Sequence, residues 1–503
     1  MDIFRKLSWA DSTGDAIPLY HDGVYHIFSL TSPPGTTVYP ARLRTTWEHS
    51  VSRDLVHWEL INHCVKKLPF EKYALPCHGS GTWAPSIRYH EGTFFVFIPL
   101  VDEGILVARS RDPYGEFECN MLCESKGWID PCPFWDDDGR AYMVFAYAKS
   151  RSGIKHRLSL VEMDPQCRCL LAEPGLIFDG EQIAPTSEGP KMYKKNEYYY
   201  ILMPSGGVET GWQSCLRSRS VYGPYDYKVV MHQGGWVTSP DGRHWFIHFQ
   251  DVVELGRIIH LQPMCFLDDW PFIGQDQNGD GIGEPVEEWP VPSEGMPEYA
   301  IRQSDDFAEK TLGLQWQWQA NPNTDFYSLE EHPGYLRLYC YRNPGRENLL
   351  WYAPNVLTQI PQKQKLSMTV KLSLSGGEDG DFGGIGMAGH DYGYAGLYYT
   401  GKGIQVRCYR GTVTDPMFEG EAGEKLVFSR EAEGEQAWFR LTLEEDKTYG
   451  FSYSSDGRNF TRIEYSFPLK RATWTGAKLC LWSCSRENRE SGGYCDYEYV
   501  EIK

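Results

Sequence analysis

Five stretches of the chain repeat one phrase, an apolar or aromatic run broken by a tight turn and then resumed. They are YHDGVYHIF (Tyr20 to Phe28), YHEGTFFVF (Tyr89 to Phe97), WDDDGRAYMVF (Trp135 to Phe145), YKKNEYYYIL (Tyr193 to Leu202) and SPDGRHWFIHF (Ser239 to Phe249). Each reads as a β-hairpin, because aromatic and β-branched runs flank residues that tolerate a left-handed backbone. Aligned on Gly23, Gly92, Gly139, Asn196 and Gly242, the phrases recur at intervals of 69, 47, 57 and 46 residues. That is the length of a four-stranded blade with variable loops, so the expected fold is an all-β, five-bladed β-propeller.

Eight or nine residues before each turn stand Asp15, Trp83, Asp130, Glu188 and Gln233. In a propeller this phase lies near the innermost strand, facing the central channel. A carboxylate occupies it three times, and three acids converging on one axis suit catalysis better than structure. Asp130 is followed by Pro131, and Glu188 by Gly189 and Pro190. Those backbones hold an acid in one place, which acid/base chemistry requires. Asp136, Asp137 and Asp138 fall in the turn itself and are expected to be solvated turn formers, as are Asp22, Glu91 and Asp241.

Beyond the hairpins, the chain of 503 residues exceeds what one core supports. Residues 1–285 read as the propeller, the Pro- and Glu-rich stretch 286–304 as a linker, and residues 305–503 as a second domain. There the pattern changes to short alternating strands such as GYLRLYCY (Gly334 to Tyr341) and WFRLTLEE (Trp438 to Glu445), with Gly-rich turns such as SGGEDGDFGGIG (Ser375 to Gly386). The expectation is a β-sandwich. Helical periodicity is nearly absent.

A formal charge of −19 argues against a nucleic-acid partner. No run of eighteen apolar residues suggests a membrane span, and the first residues lack a signal-peptide core, so a cytoplasmic protein is expected. Oligomeric state is not legible. The 14 cysteines show no framework spacing and read as thiols. Aromatic residues make up 14% of the chain, which suits sugar stacking as well as sheet packing. The loop DQNGDGIGEPVE carries Asp276, Asn278, Asp280 and Glu287 at calcium-loop spacing. Pro285 and the lack of flanking helices favour an ordinary turn, with a structural calcium as the second reading.

The elements His49 to Leu60 (HSVSRDLVHWEL), Gly81 to Tyr89 (GTWAPSIRY), Ile129 to Gly139, Ser187 to Tyr200, Arg219 to Tyr225 and Gly256 to Pro263 together resemble glycoside hydrolase family 43, in its β-xylosidase and α-L-arabinofuranosidase branch. The resemblance implies a five-bladed propeller followed by a concanavalin-like β-sandwich. It also implies an inverting exo-hydrolase acting on small oligosaccharides, with no cofactor required for catalysis. Carried over residue by residue, it makes Asp15 the general base, Glu188 the general acid, and Asp130 the carboxylate that orients the acid and adjusts its pKa. Asp15 is preferred to Asp11 because its offset from Gly23 equals that of Glu188 from Asn196. Substrate-binding candidates are Trp83, Arg257, Trp47 and His260. Each has a plain alternative: core packing for the tryptophans, an ion pair for Arg257, and a hydrogen bond to a backbone carbonyl for His260. The fifth phase carries Gln233 where many members carry a channel-facing His, so the resemblance gives no ground for a central metal.

Three rivals differ in class. An invertase-type propeller would retain configuration and carry an Asn-Asp-Pro-Asn-like nucleophile motif, absent around Asp15. A lectin-like propeller would keep the aromatics without needing three acids. A scaffold propeller would show an exposed apolar patch in place of a polar channel.

Overall fold

The computed structural model describes residues 3–5, 17–29, 48–53, 55, 59–63, 65–77, 79–207, 211–231, 235–238, 243–252, 254, 256–286, 288–290, 302–343, 349–414, 422–470, 476–486 and 490–503. The architecture is all-β: a propeller arrangement followed by a two-sheet sandwich. Among the described residues the only α-helix is one turn, Lys149–Ser152. No helix there is long and apolar enough to cross a membrane.

Five four-stranded antiparallel sheets follow one another along the first part of the chain. The first comprises Ile17–His21, Val24–Ser29, Glu48–Ser52 and Glu59–His63; the second Ser86–His90, Thr93–Leu100, Gly104–Ser110 and Glu118–Glu124. The third comprises Trp128–Trp135, Ala141–Tyr147, Arg157–Met163 and Gly175–Asp179; the fourth Lys191–Lys195, Tyr198–Ser205, Trp212–Ser218 and Asp226–Met231. The fifth comprises Gly235–Thr238, His244–Val252, Gly256–Leu267 and Trp270–Ile273. In the first four the repeated phrase forms the first hairpin, and in the fifth Gly235–Thr238 pairs with the strand His244–Val252. First strands adjoin from the first sheet to the second, the second to the third and the third to the fourth, and the fifth lies back against the first.

The turn chemistry explains the repeat. Asp22 and Gly23 both have positive φ (48° and 83°), as do Glu91 and Gly92 (45° and 80°). This is the mirror-image turn whose twist matches the flanking strands. In the third hairpin the turn is wider, closed by bonds from Gly139 N to Asp136 O and from Asp136 N to Arg140 O.

The propeller's apolar residues form cores between neighbouring sheets. Ile129, Tyr142, Val144, Leu160, Met192 and Ile201 fill the space between the third and fourth. Here one expectation fails. Of the three turn aspartates, Asp137 and Asp138 are exposed, but the Asp136 side chain is only 7% exposed and bridges to the fourth sheet. It accepts from Lys194 Nζ at 2.5 Å and Tyr199 OH at 2.6 Å. Burial pushes its carboxyl up, yet these bonds hold it below the usual carboxylate range. The turn signal was correct for the backbone and silent about the neighbouring sheet.

Part of the stretch expected to be a linker is tied to the propeller. Val286 N donates to Gln262 Oε1 at 2.7 Å, and Glu288–Pro290 pairs antiparallel with Ile3–Arg5.

The sandwich packs two sheets over one core. One sheet runs Gln317–Trp318, Leu357–Gln359, Lys478–Ser485, Asp381–Ala388, Asp391–Tyr399, Ile404–Val413, Ala422–Glu431. The other runs Tyr327–Ser328, Leu336–Tyr339, Tyr494–Ile502, Leu366–Ser375, Gln436–Leu443, Thr448–Ser454, Thr461–Arg462. Met368, Val370 and Leu372 meet Ile385, Leu397 and Val406 between them. Each such side chain contributes roughly 1.5–3 kcal/mol by leaving water. The segment read as a Gly-rich turn is a turn only over its first part: Asp381–Ala388 is a fully buried strand. Its glycines serve close approach, since a Cβ on Gly384 would lie 2.1 Å from the Ala395 carbonyl oxygen. No disulfide joins cysteines among the described residues.

Candidate active site

The third and fourth sheets bring two of the sequence-predicted acids together. Asp130 lies on the first strand of the third sheet, where the ladder slips between Ile129 and Cys132. That bulge takes Asp130 and Pro131 out of the ladder register and turns Asp130 into the left-handed region, φ 54°. A non-glycine residue held there costs of order 1–3 kcal/mol, which the surrounding structure must over-determine. Asp130 is 5% exposed, and its Oδ2 accepts a 2.8 Å hydrogen bond from Gly189 N. The carboxylate therefore sits against the peptide that follows Glu188.

Glu188 stands on the lead-in to the fourth sheet and is half-buried. Several contacts fix that lead-in. Ser187 Oγ donates to Ala184 O at 2.5 Å, Gly206 N to Pro185 O at 2.6 Å, and Thr186 N to His156 Nδ1 at 2.5 Å. Gly189 has φ 57°, so the chain leaves Glu188 through a turn that glycine makes without strain.

Trp83 is also near. Its backbone N–H donates to Pro99 O at 2.8 Å, and its half-buried ring packs against the apolar cluster that contains Ile129, the neighbour of Asp130. The core-packing alternative for Trp83 is thus realised. The loop before it is anchored: Tyr73 OH donates to Glu103 Oε2 at 2.9 Å and accepts from Gly81 N at 3.1 Å. Arg151 Nη2 donates to Gly79 O at 2.6 Å.

His260 lies on the third strand of the fifth sheet, 5% exposed, with its ring 5.2 Å from that of His248 on the second strand. It is a strand-interior histidine, one strand removed from the hairpin strand and two from the innermost. Arg257 is on the same third strand, opposite Asp251 in register. Asp15, Trp47 and Gln233 lie outside the described residues.

Sequence reasoning missed Arg88. From the first strand of the second sheet its guanidinium donates to Cys132 Sγ at 3.1 Å and to Met192 O at 3.2 Å, one partner on each of the next two first strands. Met192 N donates in turn to Cys132 Sγ at 3.4 Å. Cys132 is two residues beyond Asp130 and Met192 four beyond Glu188, so this bridge fixes the strands that carry the acids. The signal available was an arginine within the first strand of the hairpin, SIRYH. Lys191, also missed, is 3% exposed, and its Nζ makes no hydrogen bond among the described residues.

The calcium-spaced loop behaves as a turn. Asp276 Oδ1 and Oδ2 accept from Gly279 N and Gly281 N at 2.5 and 3.0 Å, and Asp280 Oδ1 accepts from Ile282 N at 2.8 Å. Asn278 Oδ1 accepts from Asp280 N at 2.9 Å. These bonds fold the loop into successive tight turns, the shape its Asn-Gly and Asp-Gly pairs predict. Among the described residues no group of three or more His, Cys, Asp or Glu is placed to hold a metal.

The chain is similar to known sequences and structures over most of its length. The sequence profile described as "Glycosyl hydrolases family 43" matches residues 36–271, and that described as "Beta xylosidase C-terminal Concanavalin A-like domain" matches residues 304–503. A putative β-xylosidase of Xylanibacter ruminicola is 33% identical over 444 residues, 86% of this chain and 79% of the relative. A β-xylosidase of Formosa agariphila is 29% identical over 507 residues, 89% and 83% of the two chains. Among solved structures, a bifunctional GH43-CE protein of Bacteroides eggerthii superposes with a TM-score of 0.83 at 25% identity. That match covers 99% of this chain and 64% of the longer protein.

Proposed function

Because the chain belongs to glycoside hydrolase family 43, and is therefore a glycoside hydrolase, we propose that it removes terminal β-D-xylosyl or α-L-arabinofuranosyl units from short oligosaccharides with inversion at the anomeric carbon. In this reading the five sheets close into a five-bladed ring, and Asp15, Asp130 and Glu188 share its channel. Ionised Asp15 draws a proton from water as the water attacks the anomeric carbon. Glu188 gives its proton to the departing glycosidic oxygen, and the C–O bond breaks with electrons passing to that oxygen. The base and acid of an inverting pair stand ~6.5–9.5 Å apart, leaving room for the water.

The observation that carries the assignment is the 2.8 Å contact from Gly189 N to Asp130 Oδ2. It couples a buried carboxylate to the backbone of the proposed acid. A negative charge there disfavours ionisation of Glu188, which keeps the acid protonated near neutrality. Proton transfers of this kind need no cofactor. Trp83 supplies a ring face for the sugar, with Arg257 and Trp47 as further contacts.

The test is a panel of nitrophenyl β-D-xyloside, α-L-arabinofuranoside, galactofuranoside and fructose-like donors, with the first-formed anomer read by NMR. Cleavage of a pentoside with α-xylose appearing first from the β-xyloside is the expected result. Retained configuration would remove the two-acid inverting mechanism, and binding without turnover would favour the lectin-like alternative.

A further inference from the structure

A cavity of about 850 Å³ lies where the propeller meets the sandwich, away from the acids. Its two walls are joined firmly. Ala320 is fully buried in a cluster with Val65, Leu68 and Tyr73. The neighbouring Asn321 is 5% exposed and binds the Leu68 backbone twice, accepting from its N and donating to its O at 3.0 Å each. Asn321 N also donates to Tyr73 O at 2.9 Å. The cavity is therefore a formed site between two rigid walls.

Its chemistry is that of a donor-rich, ring-flanked pocket. Lys67 lines it from the propeller side and Arg342 from the sandwich side; both are solvent-exposed, and neither cation has a carboxylate partner among the described residues. The adjacent Lys66 by contrast pairs with Glu116 at 3.8 Å. Asn323 uses its Oδ1 to accept from Asp325 N at 3.0 Å, leaving its amide N–H groups for a ligand. Phe70 and Tyr341 supply half-buried ring faces from opposite walls. Glu71 is the one lining carboxylate among the described residues. Two cations facing one acid is unusual on a chain of charge −19. Cations and amide donors beside aromatic faces select a sugar that carries an anionic acceptor.

We propose that this cavity is a second carbohydrate site, which binds an oligosaccharide bearing a uronate carboxylate through Lys67 and Arg342 while its ring stacks on Phe70 or Tyr341. The class of ligand rests on the glycosidase reading above; the charge preference rests on the cavity alone.

The experiment titrates the full chain carrying Glu188→Gln with glucuronosyl-substituted xylotriose and, separately, with unsubstituted xylotriose, by calorimetry. Sugar released during the titration would show that Glu188 is not the acid, and would leave the binding comparison to be read from the substituted ligand's heat at early injections. The substituted ligand is expected to bind about tenfold more tightly than the neutral one. Adding Lys67→Gln and Arg342→Gln should erase that advantage. The same pair placed in the otherwise unaltered chain should keep nitrophenyl pentoside turnover within about twofold, which shows that it folds. Equal affinity for the two ligands, or a preference that survives the Gln pair, overturns the proposal.

Discussion

Two buried carboxylates, one in each half of the molecule, are held in opposite ways. Glu424 in the sandwich has a side chain 1% exposed, at a position paired in register with Gly411. It accepts from Leu350 N at 2.7 Å, Tyr392 OH at 2.8 Å, Arg486 Nη2 at 2.9 Å and Tyr394 OH. Arg486 also donates to Tyr394 OH at 2.9 Å and lies over the Tyr409 ring. Asp130 in the propeller stands instead on a bulge, with a backbone conformation that costs energy and a bond to the peptide after another acid. Burial is common to both, so burial of an acid does not mark a reactive site. Under the proposed function, the strained backbone beside a second carboxylate is what sets Asp130 apart from Glu424.

The strongest way to break this contrast is at the proposed proton donor. Glu188→Gln should lower kcat on xylobiose by about 10²–10⁴, with a smaller loss on a nitrophenyl pentoside, whose leaving group needs little protonation. Near-normal xylobiose turnover would remove Glu188 from the mechanism. On the structural side, Arg486→Met leaves Glu424 buried without its cation and should cost about 3–5 kcal/mol in urea unfolding. Activity per folded molecule should be unchanged; lost turnover at full stability would place the Glu424 cluster with the site.

A third test sharpens the boundary between the two classes. Asp136→Asn, at the seam of the third and fourth sheets, should destabilise by about 1–3 kcal/mol near neutral pH. Because the folded carboxyl is held below its ordinary value, its contribution is present above about pH 4 and fades as acid protonates it. The gap between parent and variant should therefore narrow on acidification, read from urea midpoints across pH. The smallest effect is expected for Gly189→Ala, whose φ of 57° costs a side chain about 1 kcal/mol. Its informative readout is pH: a shifted alkaline limb of kcat would show that the Gly189 bond to Asp130 sets the acid, and an unmoved profile with only reduced stability would show that it does not.

The nearness of Asp130 to the peptide after Glu188 was legible before any coordinates. The two acids stand nine and eight residues before their turns, and hairpin spacing alone put both near the first strands. The buried role of Asp136 was not legible, since its partners Lys194 and Tyr199 are 58 and 63 residues away and a turn signal reports only local backbone preference. His260 shared the family-like GRIIHLQP element yet sits beside His248 on the third strand, because strand identity within a blade depends on how many strands precede it. Arg88 was hidden for the same reason: its acceptors lie 44 and 104 residues further along.

What the chain's order of residues determined by itself was the local alternation, the turns with left-handed backbones, and hence an all-β protein of repeated hairpins joined to a second strand-rich domain. Those features depend on neighbours a few residues apart. Which side chains face one another was decided only by closure of the sheets around common cores, where the Asp130 bulge, the Arg88 bridge and the paired walls at Asn321 each join segments dozens to hundreds of residues distant. Long-range packing selects among contacts that local preference leaves equal.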